Sequence, residues 1–363
     1  MFAASSHSYL MPDGLPMIDT GNRGAVTTAT GRNGGLRGVV AIGASAGGVE
    51  ALSQLAAGLS LDVPYAYVMT LHVPPGVPSV LARIVDRSGP VPAVAAEDGA
   101  NLEPARIYVA RPDRHLLVAD HRVVLSHGPT ENGHRPAINA LFRSVALSFG
   151  PRAVGVLLSG VLDDGVLGLA AIRSRGGTTI GQSPEDALFP SLPTTAHDAG
   201  VLDQQLAAAD VGALLKELSP RETKDPAMER DPAMELENRI AMVSRFATDF
   251  DTRQLGSPSS YTCPDCNGSL VFISEGNFRC QVGHAWTADA LLAARDDEIE
   301  GALWVALRSL QEKARLSRQL AEKAGTGLLH RRYTDLAEET ERALNVLSDR
   351  LSSSDPRGGD PGG

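Results

Sequence analysis

The chain has 363 residues, with 33 Lys and Arg against 43 Asp and Glu and a formal net charge of −10, so it lacks the positive field that general nucleic-acid binding requires. Hydrophobic residues at 43% and charged residues at 21% are ordinary for globular protein with room for about two domains, and exclude a wholly disordered chain. Three cysteines in so long a chain cannot form a disulfide framework.

Residues 1–36 are rich in Gly, Thr, Ser and Asn without an apolar period and read as a disordered tail. They lack the basic start and apolar run of a signal peptide, and the longest apolar stretch, 153–158, is far short of the ~20 residues that span a bilayer. Cytoplasmic localisation without membrane insertion is therefore expected. From Gly38 short apolar runs alternate with helical patterns, the form of an α/β domain. Strands are predicted at 38–42, 66–71, 106–109, 153–158 and 178–181, with a hairpin of 116–119 and 122–126 about Asp120 and His121. Helices are predicted at 49–59, 80–87, 139–149 and 165–175. Runs such as AVGVLL are apolar on both faces, as parallel strands covered by helices are. The expected fold is a doubly wound, mostly parallel sheet over 37–218.

Residues 219–260, with DPAME at 225–229 and again at 231–235, read as a linker. All three cysteines fall in 261–286. Beyond them Ile299, Leu303, Leu307, Leu310 and Ala314 step by threes and fours, Gly325, Thr326 and Gly327 break the pattern, and Tyr333, Leu336, Thr340, Leu344, Leu347 and Leu351 resume it. That is a helical hairpin over 287–351 with a coiled-coil-like seam. Residues 352–363 read as a second frayed tail.

Three predicted strands deliver polar residues at their carboxyl ends, where ligand sites of open α/β sheets lie. The strand at 38–42 runs into Gly43-Ala44-Ser45-Ala46-Gly47-Gly48, a G-x-S-x-G elbow between strand and helix. Its small residues permit a sharp turn that presents the Ser45 hydroxyl, and the following helix start offers unpaired N–H groups. The alternative is a glycine-rich turn that binds phosphate or nucleotide. His72 directly follows the strand 66–71. Asp163 and Asp164 follow the strand 153–158, where one carboxylate can orient an imidazole, or both can simply open the next helix.

GASAGGVEAL, LHVPPG, NGHRPAINALFRS and LSGVLDDGVLGL, in this order over about 37–215, resemble the catalytic domain of the bacterial chemotaxis protein-glutamate methylesterases (CheB). The resemblance implies a parallel-sheet α/β fold and a Ser45, His72 and Asp164 triad. It implies hydrolysis of γ-glutamyl methyl esters, with deamidation of glutamines, on methyl-accepting chemoreceptors without a catalytic cofactor. By analogy and position, backbone N–H groups at Ala46, Gly47 and Val161 support the oxyanion. The family usually has Thr at Ala46, Gln-His-Met at Leu71, His72 and Val73, Thr-Gly-Met-Gly at Ser159, Gly160, Val161 and Leu162, and Asp at Asn139. Most relatives also carry a phosphoryl-receiver domain before the esterase; 36 residues are too few to form one, so control by phosphorylation in cis is not expected. A non-catalytic signalling scaffold that binds chemosensory partners is the alternative from another class.

Cys263-Pro264-Asp265-Cys266 is followed after thirteen residues by Cys280-Gln281-Val282-Gly283-His284. Cys263, Cys266, Cys280 and His284 make a paired Cys₃His set, the ligand complement of a closed, structural zinc site. A redox CxxC or unrelated thiols are the alternatives. Residues 261–295 offer only Arg279 and Arg295 as basic side chains, so the ribbon is not expected to bind nucleic acid. The ribbon and hairpin are expected to meet chemosensory partner proteins instead.

Overall fold

In a computed structural model of the chain the described residues are 35–76, 78–219, 230–243, 256–274 and 276–353. The tail expected over 1–36 lies outside them except for Gly35 and Leu36, as do much of the expected linker and the end of the second tail.

Among the described residues the esterase-like half is built on a seven-stranded sheet of order β3-β4-β2-β1-β7-β8-β9. The strands are β1 (Gly38–Ala44), β2 (Tyr65–Leu71), β3 (Ala93–Ala95), β4 (Arg106–Val109), β7 (Ala153–Leu157), β8 (Thr178–Gln182) and β9 (Gln204–Leu206). All adjacent pairs are parallel. Every residue of β1, β2 and β7 is buried, which requires helices on both faces. The pleat divides β1 between two cores. Val40, Ile42 and Ala44 pack with Leu52 and Leu55 of α1 (Gly48–Gly58), Val85 of α2 (Leu81–Ser88) and Leu215 of α6 (Val211–Leu218). Val39 and Ala41 face Leu141 and Phe142 of α3 (Ile138–Phe149), Leu169 of α4 (Val166–Ser174) and Leu192 of α5 (Ser191–Asp198). A hairpin of β5 (His115–Ala119) and β6 (Arg122–Ser126) lies against α3.

The chain first moves from β1 to β2 on one side and later to β7 on the other. The carboxyl ends of β1, β2 and β7 thus meet at a reversal of strand order, where open α/β sheets place their sites.

Part of the stretch expected as linker is helical. Asp231 caps α7 (Pro232–Met242) by accepting from the Met234 N–H at 3.0 Å, and Pro232 supplies a preset first turn. Ile240 and Ala241 are buried, Ala241 packs with Leu117, Ala137 and Ala140, and the Ser126 hydroxyl donates to the Ala241 carbonyl. The helix is therefore seated on α3 and the hairpin. The small sheet also begins earlier than residue 261. It is antiparallel, in the order β10 (Ser257–Thr262), β11 (Ser269–Ser274), β12 (Asn277–Cys280) and β13 (Ala285–Thr287). It leads into α8 (Ala288–Ala324), which packs on α9 (Leu328–Ser353) along buried Ala314, Ser317, Ala321, Ala337 and Thr340. Ile299, expected in this seam, lies at its far end and is 57% exposed. Among the described residues no helix is long and apolar enough to cross a membrane.

Candidate active site

Ser45 leaves β1 into a turn drawn against the segment after β7. Its N–H donates to the Ser159 carbonyl at 2.9 Å, and the Ser159 hydroxyl donates to the Ala46 carbonyl at 2.8 Å and accepts from the Phe189 N–H at 2.9 Å. The hydroxyl of the usual family Thr is thus retained at Ser159. The turn closes at Gly47, whose φ of 72° favours glycine and where a Cβ would sit 2.7 Å from Ser159 Oγ. Among the described residues the N–H groups of Ala46, Gly47 and Val161 have no hydrogen-bond acceptor, whereas that of Gly160 donates to the Phe189 carbonyl. A Cβ on Gly160 would lie 3.0 Å from the Cβ of Ser45, so the 160–164 loop borders the serine. Val161 on that loop is 43% exposed.

His72 follows β2 and lies between the other two residues. Its Nδ1 is 3.1 Å from Ser45 Oγ and its Nε2 is 2.7 Å from Asp164 Oδ2. Nε2–H can donate to the carboxylate while Nδ1 accepts the serine proton, which fixes the productive tautomer. Asp164 is buried at the N-terminus of α3: its Oδ2 also accepts from the Ile138 N–H at 2.7 Å, and its Oδ1 from the Asn139 N–H at 3.1 Å. Burial alone would push this carboxyl up, but the His72 hydrogen bond and charge, with the Ile138 N–H, outweigh it and hold it below the ordinary carboxylate range. Asp163 turns away, accepting from Thr287 Oγ1 at 2.9 Å. Burial pushes Asp163 up to about 6 against that hydrogen bond.

Three supporting residues were not among the predicted site residues. The His134 ring stacks on His72 with centroids 3.7 Å apart and 14° between planes. Asn139 Oδ1 accepts from the N–H groups of Gly165 at 2.9 Å and Gly168 at 2.8 Å, tying α3 to the start of α4. Ser159 is the third. His134 and Asn139 both lie in the NGHRPAIN stretch already noted, which was the available signal. Beside His72 a cavity of about 370 Å³ is lined by Pro74, Pro75, Thr130, His134 and Arg135. Arg135 is paired there with Asp113 at 2.5 Å.

A second cluster lies in the small sheet. The ligand-type atoms of Cys263, Cys266, Cys280 and His284 all lie within 4.8 Å of one another. Cys266 and Cys280 sulfurs are 3.7 Å apart, and His284 Nδ1 is 3.7 Å from Cys263 and 3.5 Å from Cys280. The hydrogen bond from Cys280 and that with His284 pull the Cys263 thiol down to about 3 against burial; the first of these, with burial and thiolate repulsion, pushes Cys280 up. Three thiolates this close together would repel one another strongly unless a cation lay between them.

Residues 40–215 match the family model described as CheB methylesterase. A protein-glutamate methylesterase/protein-glutamine glutaminase of Anaeromyxobacter dehalogenans is 40% identical over 171 residues, 47% of this chain and 50% of that protein. One of Escherichia coli K12 is 36% identical over 166 residues, 45% of this chain and 47% of its own length. The chain spans about half the length of the curated relatives it matches. The solved Thermotoga maritima CheB methylesterase catalytic domain is 29% identical with a TM-score of 0.48, covering 50% of this chain and 98% of its own.

Proposed function

We propose that the chain, whose residues 40–215 match the CheB methylesterase family model, is a serine esterase that hydrolyses glutamate γ-methyl esters, and deamidates glutamine, on methyl-accepting chemoreceptors in the cytoplasm. One observation carries the reading: His72 lies within hydrogen-bond reach of both Ser45 and Asp164. Ser45 Oγ attacks the ester carbonyl as its proton passes to His72 Nδ1. The imidazolium is stabilised by Asp164, and the tetrahedral oxyanion by N–H groups at Ala46, Gly47 and Val161. Such donors are worth about 3–4 kcal/mol each. Collapse breaks the bond to the methoxy oxygen, or to the amide nitrogen, as that atom takes the proton from His72 and leaves as methanol or ammonia, with Ser45 acylated. Water activated by His72 then releases the glutamate carboxylate. Neither step calls for a cofactor.

With methyl-labelled receptor fragments, purified protein should release methanol, and Ser45→Ala should lower the rate by about 10⁴-fold or more. Equal release by both proteins, or none from the wild type, refutes the esterase and leaves the scaffold reading.

A structural zinc ion is proposed at Cys263, Cys266, Cys280 and His284. Tetrahedral zinc places sulfurs about 3.8 Å apart and sulfur and nitrogen about 3.6 Å apart, close to the 3.7, 3.7 and 3.5 Å found. Protein purified without chelator should carry about one zinc per chain, lost in Cys263→Ser. Metal-free wild type that takes up no added zinc would rule this out. The hairpin of α8 and α9 is proposed to meet chemosensory partner proteins.

A further inference from the structure

Two sets of hydrogen bonds run from the ribbon into the esterase site. The first grips residues 130–132. The Ala285 N–H donates to the Thr130 carbonyl at 3.1 Å, the Asn132 N–H donates to the Ala285 carbonyl at 2.8 Å, and the Thr287 N–H donates to Asn132 Oδ1 at 2.8 Å. This segment is in effect one more strand on the free edge of β13, with a parallel bridge between Glu131 and Ala285. Thr130 Oγ1 also donates at 2.6 Å to Asp265, which lies between Cys263 and Cys266. Two residues beyond Asn132 is His134, whose ring lies on His72. The second set is the bond from Thr287 Oγ1 to Asp163 Oδ1 at 2.9 Å. Asp163 adjoins Asp164, which holds the other side of the His72 ring.

The same ribbon residues are continuous with the cysteine cluster. The Cys280 N–H donates to the His284 carbonyl at 3.0 Å and the Gly283 N–H to the Cys280 carbonyl at 3.0 Å. This tight knuckle presents two candidate ligands and passes at once into Ala285. Small metal-ligated modules lose their fold with their metal, and losing this one would release the 130–132 edge and Asp163 together.

We propose that the metal-loaded ribbon is a positioning element of the esterase, with Asn132 and Thr287 as positioning residues that hold His134 and the Asp163–Asp164 pair around His72. The inference rests on the serine-esterase and zinc readings above. An imidazole must stay within reach of both partners at once, and displacements of about 1 Å at such a centre cost on the order of 10²-fold in rate.

The test uses the full chain, zinc-loaded and chelator-stripped, with Thr287→Val, Thr287→Ser and Asp163→Ala. Measured for each are zinc content, acylation of Ser45 by a fluorophosphonate probe, kcat and KM on p-nitrophenyl acetate, and amide hydrogen exchange. Stripping zinc should expose amides of 130–134 while β1 and β2 stay protected, and slow acylation about 10²-fold. Zinc-loaded Thr287→Val and Asp163→Ala should lose about 10-fold or more in kcat with KM within about two-fold, and Thr287→Ser should recover most of the loss. Asp163→Ala leaves the Thr287 cap on α8 in place, so its loss reports the contact with the site rather than helix capping. Unchanged exchange at 130–134 after stripping, or wild-type acylation by stripped protein or by both Thr287→Val and Asp163→Ala, overturns the proposal. A zinc-loaded wild type inert to the probe refutes the esterase reading instead. In that case the exchange at 130–134 still decides whether the ribbon holds this segment.

Discussion

His134 touches neither the serine nor the carboxylate by a hydrogen bond, yet its stack at 3.7 Å fixes the plane of the ring that must serve both. Burial, and then the neighbouring His72 charge, push its pKa down to about 4, with Asp164 pulling the other way. His134 is therefore neutral at neutral pH and would not repel the imidazolium that the proposed mechanism forms on His72. The same shift enters stability. Between about pH 6.5 and about pH 4 the unfolded chain binds a proton on His134 that the native state refuses, so stability falls as pH is lowered through that window. Buried His115, lowered chiefly by desolvation, acts in the same sense. His134→Phe keeps a flat ring but removes one titration. Its thermal midpoint should fall less steeply than wild type from pH 6.5 to 4, while esterase kcat stays within about ten-fold; His134→Ala should lose more activity. Parallel midpoint curves for wild type and His134→Phe would count against this account. Ser45, His72 and the Asp163–Asp164 pair stand out in the sequence as candidates because each follows the carboxyl end of an apolar run. His134 could not, because its role depends on how a loop folds back across the sheet. The two neighbouring acids could be told apart only by resemblance, since which one faces His72 depends on the turn that separates them.

At the scale of elements, the acid of the site is held by a helix end. Asp164 takes two N–H groups from the first turn of α3, where unpaired donors and the helix dipole favour an anion. That helix start can approach the sheet because β1 has glycine at position 43: a Cβ there would lie 2.3 Å from Cγ2 of Ile138 and 3.2 Å from its Cβ. Gly43→Ala should therefore push the start of α3 outward, cost about 1–3 kcal/mol and lower kcat more than it raises KM. Gly43→Ala with Ile138→Ala should be less damaging than the sum of the two single changes, because the second opens space for the first. Additive losses in denaturant melts and in kcat would show that the contact does not govern the site. Apolar period made β1, β2, β7, α1, α3 and α4 legible to within a residue or two. The three-residue strands β3 and β9 carry no period long enough to read and exist through their parallel neighbours. Helix α7 was obscured by the charge-rich repeat around it, although Asp231 followed by Pro232 was a helix-start signal in plain sequence. Its apolar side is short, and only the waiting surface of α3 and the hairpin makes it worth burying.

At the scale of the molecule, the ribbon and the sheet domain meet over a buried charge cluster rather than an apolar seam. Glu131 accepts from Arg143 of α3 at 2.5 Å and from Arg279 of β12 at 3.4 Å, and Glu237 of α7 lies 3.2 Å from each arginine. Neither the partners nor the burial could be read in advance, because Arg279 lies 148 residues from Glu131 and each looked like a surface charge. Burial would push Glu131 up, but Arg143 and Arg279 outweigh it and hold its carboxyl at about 2. Its folded pKa is thus depressed, so its stabilisation is present above about pH 4.5 and is lost as pH falls toward about 2. Removing one member of a buried pair leaves uncompensated charge and costs about 3–5 kcal/mol. In Glu131→Ala two buried guanidinium groups would share Glu237 alone. The variant should lose stability by that amount at pH 7, and the gap to wild type should narrow as the pH drops below 4.5. It should also separate two events that coincide in the wild type. Heated with a chromogenic chelator present, wild type should release zinc as the far-UV ellipticity collapses, whereas Glu131→Ala should release it first, at a lower temperature. Coincident release and collapse in both proteins, with a stability loss below about 1 kcal/mol, would mean that the two halves are joined by the hydrogen bonds of β13, Thr130 and Thr287 and that the charge cluster contributes little to holding them together.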